Sequence, residues 1–213
     1  MSIPCKMNPL GGKNELPPGY TRLEYLESLP DGKQYINLDY IPDGETGLYC
    51  RHLHLEKSLN NVFAIGVSQT STSPPTGMIC VPTMGYAAVF YAWGGPCSAG
   101  RPLGPPSIYP AEGWLNYYGS RQAVLRCNGA EWATSLSSFD YEVTRPLYMG
   151  MINRCGVNAF AFYARFYEVR ITQGKKLVCH CVPALDADGT PCMYDVIRKR
   201  ALYNSGSGQY VLI

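Results

Sequence analysis

The stretch Ala123-Val124-Leu125-Arg126-Cys127-Asn128-Gly129-Ala130-Glu131-Trp132 carries the clearest structural instruction in the chain. A β-prone run meets Asn-Gly and is followed by a second short run. Asn and Gly accept positive φ at the two centres of a type I′ turn, whose twist matches that of paired antiparallel strands. The segment is predicted to be strand, tight turn, strand. Downstream, Phe160-Ala161-Phe162-Tyr163-Ala164-Arg165-Phe166-Tyr167-Glu168-Val169-Arg170-Ile171 is the longest strand candidate. Its positions 160, 162, 164 and 166 are apolar, which predicts that this face is buried, because side chains alternate across a strand. Gln173-Gly174 then turns the chain into Lys176-Leu177-Val178-Cys179-His180-Cys181-Val182.

Upstream the same grammar repeats. Residues 20–27 alternate imperfectly and 34–41 cleanly, with Pro30-Asp31-Gly32 as the turn between them. A strand is expected over 47–59, with Leu48, Leu53 and Leu55 as its apolar candidates. Residues 61–67 and 78–81 read as short buried strands separated by a polar loop, and 85–93 is strongly β-prone. Residues 148–152 form another short apolar run. Between 94 and 113 lie prolines 102, 105, 106 and 110 and few regular signals; a loop of that length is usually functional or mobile. Helical periodicity is missing apart from a short turn near 193–198. About a dozen short strands in one unit predict an all-β, antiparallel two-sheet sandwich. Residues 1–19, rich in Pro and Gly, are expected to form an extended N-terminal arm ahead of one domain over 20–213. Ile3, Met7 and Leu10 are the arm's apolar candidates for docking on a partner.

Composition narrows the function. The 213 residues are 46% hydrophobic and 12% aromatic, enough for a sizeable core. Lys+Arg 18 against Asp+Glu 16 gives a formal charge of +2, too balanced for electrostatic binding of nucleic acid. No stretch reaches the roughly 18 consecutive apolar residues of a membrane span. The opening residues lack the pattern of a signal peptide, so synthesis in a cytoplasm is expected. Nine cysteines, an odd number scattered along the chain, favour reduced thiols over a disulfide framework.

Two blocks resemble a known family. Leu16-Pro17-Pro18-Gly19-Tyr20-Thr21-Arg22-Leu23-Glu24-Tyr25-Leu26-Glu27-Ser28, followed by Gln34-Tyr35-Ile36, is similar to the opening signature of laminin-G-like (concanavalin A-like) jelly-roll domains. Val182-Pro183-Ala184-Leu185-Asp186-Ala187-Asp188-Gly189, then Tyr194-Asp195 and Tyr203-Asn204-Ser205-Gly206-Ser207-Gly208, is similar to their closing one. The resemblance spans about residues 16 to 210. It departs in the Pro-rich middle and at Leu29-Pro30-Asp31-Gly32-Lys33, where the family usually has a short Thr-Gly-Thr-like turn. It implies a jelly-roll binding module of the type common in gut-bacterial and phage genomes. It does not name a ligand.

On that basis the chain is expected to be non-catalytic and to work by contact. The leading expectation is a virion-associated protein of a phage, a capsid decoration or tail component touching neighbouring virion proteins or host-surface glycans. The alternative is a free-standing bacterial carbohydrate-binding module, and a glycoside hydrolase with unusual acids is a weaker one. A homo-oligomer is expected, without nucleic-acid or membrane partners. Contact is assigned to aromatics in and around the Pro-rich loop and the hairpin: Tyr91, Trp93, Tyr109, Trp114, Tyr117 and Trp132.

Other constellations have a plainer reading beside the chemical one. Sandwich glucanases carry Glu-x-Asp-x-x-Glu on a strand, and retaining hydrolysis needs carboxyl groups roughly 5 Å apart. Here Glu24-x-x-Glu27 falls on opposite strand faces and reads as surface. Cys50, His52 and His54 share a strand face; same-face neighbours lie roughly 6.5–7 Å apart, so a polar outer face over Leu53 and Leu55 is expected rather than a metal site. Cys179 and Cys181 point one way and His180 the other, a poor chelate without Cys192 nearby. No metal or cofactor is assigned. Calcium is the one alternative, in a loop of Asp186, Asp188, Gly189 and Asp195, though Asp-x-Asp-Gly is also ordinary turn chemistry.

Overall fold

The computed structural model describes residues 16–30, 33–55, 62–69, 76–81, 86–92, 95–96, 110–116, 118, 121–135, 143–159 and 163–211. In chain order the strands are β1 Thr21–Arg22, β2 Leu26–Glu27, β3 Ile36–Asn37, β4 Thr46–His54, β5 Val62–Ser68 and β6 Thr76–Val81. Next come β7 Tyr86–Ala92, β8 Gly95–Pro96, β9 Ala111–Asn116, β10 Gln122–Cys127, β11 Ala130–Ser135 and β12 Tyr148–Met149. The last are β13 Ile152–Arg154, β14 Val157–Ala159, β15 Ala164–Gln173, β16 Lys176–Leu185, β17 Pro191–Asp195 and β18 Arg200–Tyr203. No helix occurs among the described residues. The expected turn near 193–198 is divided between the end of β17 and a turn over 196–199.

The strands form two sheets. The ten-stranded one runs β11-β10-β9-β4-β15-β16-β17-β18, with β1 on β16 and β2 on β15; the eight-stranded one runs β14-β13-β5-β6-β7-β8, with β12 and β3 attached. Among the described residues every ladder is antiparallel except β5–β13 (Ile152 opposite Gly66), one parallel pair in the otherwise antiparallel sandwich that was expected. The Asn128-Gly129 hairpin forms as read, with φ of 48° and 76° at its two central residues.

The core lies between the sheets. Leu48, Cys50, Leu115, Phe166, Val169, Ile171, Cys179, Cys181 and Met193 of the larger sheet meet Ile36, Ala64, Ile65 and Met149 of the smaller. In β15 the expected even face holds at Ala164 and Phe166, while residues 160 and 162 lie outside the described residues. A register shift between Phe166 and Glu168 then hands the buried face to the odd positions Val169 and Ile171. Such a bulge inserts one residue and reverses the alternation, which periodicity alone does not reveal. Strand β4 corrects the sequence reading. Cys50 and His52 are fully buried beside Leu48, and Arg51 is exposed, so the even face points into the core rather than outward. Glu27 is likewise buried, not a surface residue, and is bonded to Arg165 at 2.7 Å.

The two family-like blocks, far apart in sequence, sit side by side. Thr21 and Arg22 pair with Leu185 and Ala184, and the Leu23 amide donates to the Pro183 carbonyl at 3.0 Å. The Tyr35 amide donates to Asn204 Oδ1 at 3.0 Å, the Ser205 amide returns to the Tyr35 carbonyl at 2.8 Å, and Gln34 Nε2 reaches the Ser207 carbonyl. Leu16, near the end of the expected arm, and Tyr20, at the start of the expected domain, pack on Val182, Ala184 and Tyr194 across the outer side of β16 and β17. Gly206 is fixed by this crossing. A Cβ there would overlap the Lys33 carbonyl oxygen and sit 2.9 Å from its carbon. Gly206→Ala is expected to destabilise by about 1–3 kcal/mol, lowering the thermal midpoint by several degrees. An unchanged midpoint would mean that the backbone at Lys33 yields without cost.

Candidate functional site

Alternation in the larger sheet turns one face to the core; the other, covered by Leu16 and Tyr20 over β16 and β17, carries the polar and aromatic groups of β9, β4 and β15. Because β9, β4, β15 and β16 are in direct register, Trp114 lies opposite Tyr49, Tyr49 opposite Arg170, and Arg170 opposite His180. The side chains follow that row. Trp114 and Tyr49 meet at 5.1 Å between ring centroids, the Arg126 guanidinium lies 5.0 Å over the Trp114 ring, and that of Arg170 lies 4.9 Å over Tyr49. Such cation–ring contacts contribute about 0.5–1 kcal/mol when exposed and more when dry. Tyr49 is the buried floor of the row; burial, then the nearby Glu112 carboxylate, push its phenol well above the ordinary range, so it stays neutral.

A second row runs parallel to the first. Glu131, Arg126, Glu112, Arg51 and Glu168 are successive cross-strand neighbours on β11, β10, β9, β4 and β15, alternating in sign at every step. Glu131 pairs with Arg126, and Glu112 lies 3.9 Å from Arg51. Opposite charges across a ladder stabilise it by about 0.2–1 kcal/mol per pair. At the far end Glu168 accepts from Arg170 at 2.6 Å and from His180 Nε2 at 2.5 Å. Burial works to raise the Glu168 pKa, but the hydrogen bond from His180 and the charge of Arg170 outweigh it and hold the carboxyl below its usual range. Beyond Arg51 the stack continues through Tyr167 (5.0 Å), Tyr25 and Arg165.

Next to these rows, between the hairpin turn and β4, lies a cavity of about 320 Å³. Its lining is Arg51, Pro110, Glu112, Arg126 and the hairpin residues 128–131. It therefore offers guanidinium donors, carboxylate acceptors and the Asn128 amide beside a partly exposed indole.

Of the sequence-assigned contact residues, Trp114 stands in this site. The backbone of Trp132 is opposite Leu125 on β11, one position from the Arg126–Glu131 pair. Tyr91 belongs to β7 of the other sheet, opposite Gly77 and Pro96. Trp93, Tyr109 and Tyr117, and the arm residues Ile3, Met7 and Leu10, lie outside the described residues. The aromatic reading passed over Arg51, Arg126, Glu112, Glu131 and Tyr49. The signal that could have found them is the shared parity of Tyr49/Arg51, Glu112/Trp114 and Arg126 once strand neighbours are known.

Two other clusters are occupied by the protein itself. Asp186 Oδ1 accepts from the amides of Asp188 (2.9 Å) and Thr190 (2.8 Å), and Oδ2 from the Tyr203 hydroxyl (2.8 Å). The Asp186 carboxylate is thus engaged in turn chemistry, and that of Asp195 is bonded to Arg198 and to backbone amides. On the inner face, Cys179, Cys181 and Asp195 bring three ligand atoms within 4.8 Å of one another. Cys192 is on the opposite face of the sheet, among Val182 and Tyr194. The cation at this centre is Arg198, which bonds Asp195 and reaches Cys179 Sγ at 3.3 Å.

No protein-family model and no curated protein matches the sequence. Solved structures do. A Bacteroides ovatus ATCC 8483 protein, provisionally described as carbohydrate binding, aligns at TM-score 0.56 and 16% identity, over 87% of this chain and 59% of its own. The chain therefore spans less than two thirds of that protein. The CBM40 domain of the Ruminococcus gnavus IT-sialidase, solved with α2,3-sialyllactose, aligns at TM-score 0.47 and 13% identity, over 72% of this chain and 91% of that one. Domains LG4–5 of the mouse laminin α1 chain align at TM-score 0.43 and 13% identity, over 72% and 40%. At such identities the likeness is one of fold, and the fold is a two-sheet jelly-roll sandwich.

Proposed function

We propose that this chain is a lectin-like module that binds carbohydrate on the outer face of its larger sheet, and that it acts by contact rather than catalysis. The observation that carries the reading is Trp114, held between Tyr49 and Arg126, the latter one of the arginines and glutamates that line the cavity. A partly exposed indole edge beside guanidinium and carboxylate groups suits the mixed apolar and hydroxyl surface of a sugar. Every glutamate of the charged row stands beside an arginine or a histidine, which suits recognition better than proton transfer. The likeness in fold to a protein described as carbohydrate binding favours this reading over a virion component with protein neighbours.

Trp114→Ala tests it. The ring is partly exposed, so the variant is expected to fold and to lose about tenfold or more in glycan affinity, corresponding to about 1.4 kcal/mol. Titration calorimetry against whichever glycan the wild-type protein retains on an array would measure this. Equal affinity in the two proteins would remove the indole, and with it this face, from the binding site.

A further inference from the structure

Resting on that carbohydrate reading, we infer that the site selects uncharged glycans and discriminates against sialylated, sulfated and uronate-bearing ones. The charged row alternates Glu131, Arg126, Glu112, Arg51, Glu168 across five neighbouring strands. Adjacent strands are about 4.7–4.9 Å apart, so each arginine position of the row is flanked by a glutamate position on both neighbouring strands, with Arg126 paired to Glu131 and Arg51 3.9 Å from Glu112. Arg126 stands between Glu131 and Glu112; Arg51 stands between Glu112 and Glu168. An anionic group that approached either arginine would meet the glutamates of the neighbouring strands as well. Discrimination of this kind comes from unfavourable juxtaposition as much as from attraction.

Two further arginines of the face are held by carboxylates, and Arg22, opposite Ala184, lies near enough to Glu168 to feel its charge. Arg170 is bonded to Glu168 at 2.6 Å and Arg165 to Glu27 at 2.7 Å. Bidentate capture of a carboxylate or sulfate needs a guanidinium fork turned toward the ligand. Here the Nε of Arg126 is already given to Glu131. Within the cavity lining, two arginines face two glutamates, so the lining has no net charge to draw an anion in.

A polyhydroxyl ligand meets the opposite situation. A sugar hydroxyl both donates and accepts, so neighbouring hydroxyls can bridge a carboxylate and the guanidinium beside it. The cavity is large enough, at about 320 Å³, to hold part of a saccharide, and its Arg126 wall is backed by the Trp114 ring.

The test is an array and titration series on the whole chain. Cellohexaose, mannohexaose, xylohexaose and laminarin serve as neutral probes; oligogalacturonate, chondroitin sulfate and sialyllactose serve as acidic ones. The inference expects binders only among the neutral set, with affinity changing less than twofold between 50 and 500 mM NaCl. It further expects Glu112→Gln, a surface change that removes one flanking carboxylate, to admit acidic probes that the wild type rejects. Preferential binding of an acidic probe, or an affinity that falls tenfold with salt, overturns the inference while leaving carbohydrate binding intact. Binding of no probe in either set overturns the carbohydrate reading itself, and this inference with it.

Discussion

Acidification from pH 7 to pH 4.5 is expected to remove on the order of 5 kcal/mol of folding stability through two imidazoles in β4. Burial, then the neighbouring His54, lower the pKa of His52 to about 3; burial lowers that of His54 to about 4. In the unfolded chain both titrate near 6.5. The sign follows from which state takes up protons. Below about pH 6.5 the unfolded state binds protons that the folded state refuses, so stability falls with pH until the folded pKa values are reached. Each pH unit in that window costs about 1.4 kcal/mol per histidine. Against a total stability of about 5–15 kcal/mol, this brings unfolding close at mild acidity. Urea titrations at pH 7, 6, 5 and 4.5 would measure the slope, and the double variant His52→Gln, His54→Gln should flatten it. A wild-type profile that stays level between pH 6.5 and 4.5 would mean that water enters the sheet interface and the imidazoles protonate in place.

That prediction arises from a face the sequence did not disclose. Over β4 and the residue after it, Leu48 has one parity and Leu53 and Leu55 the other, so hydrophobicity along the strand does not decide which side is buried. The decision is made by the neighbours. Tyr49 has Trp114 and Arg170 to stack on, and Arg51 has Tyr167 and Glu112, so the odd side is satisfied outward and Cys50 and His52 go in. Where the signal is local, reading succeeds. Asn128-Gly129 needs only its own φ preferences, and the hairpin forms as expected. The family-like blocks were legible because glycines and amides there are tied to particular backbone approaches, such as Gly206 against Lys33. The bulge after Phe166 and the charged row depend on register between strands distant in sequence, which period-2 patterning does not encode. Trp114 was found as an aromatic; Arg126 and Arg51 become part of a site only when β10, β9 and β4 lie side by side.

Asp195→Ala is expected to cost about 3–5 kcal/mol, because it leaves a guanidinium and several amides without their shared acceptor. The carboxylate is fully buried, and Oδ1 accepts from the amides of His180 (3.1 Å), Ile197 (3.0 Å) and Arg198 (3.2 Å), while Oδ2 takes the Arg198 Nε. The same guanidinium donates to the carbonyls of Leu38 (2.9 Å) and Asp39 (3.1 Å), so one side chain joins the β17–β18 turn to the segment after β3. Burial alone would raise the pKa of Asp195, yet the bonds from Arg198 and the His180 and Arg198 amides outweigh it and hold the carboxyl low. Its contribution is therefore present above about pH 4, the unfolded carboxylate range, and fades as pH falls through the lower folded value. That window lies below the histidine one, so the two effects separate in a pH series. A double variant sharpens the test. Removing Arg198 as well, as Asp195→Ala with Arg198→Met, takes away the stranded charge and should recover part of the loss. Denaturant melts of the two single variants and the double variant give the coupling directly. A loss below about 1 kcal/mol for Asp195→Ala would mean that solvent replaces the carboxylate, and that the turn is held by the strand ladder rather than by this pair.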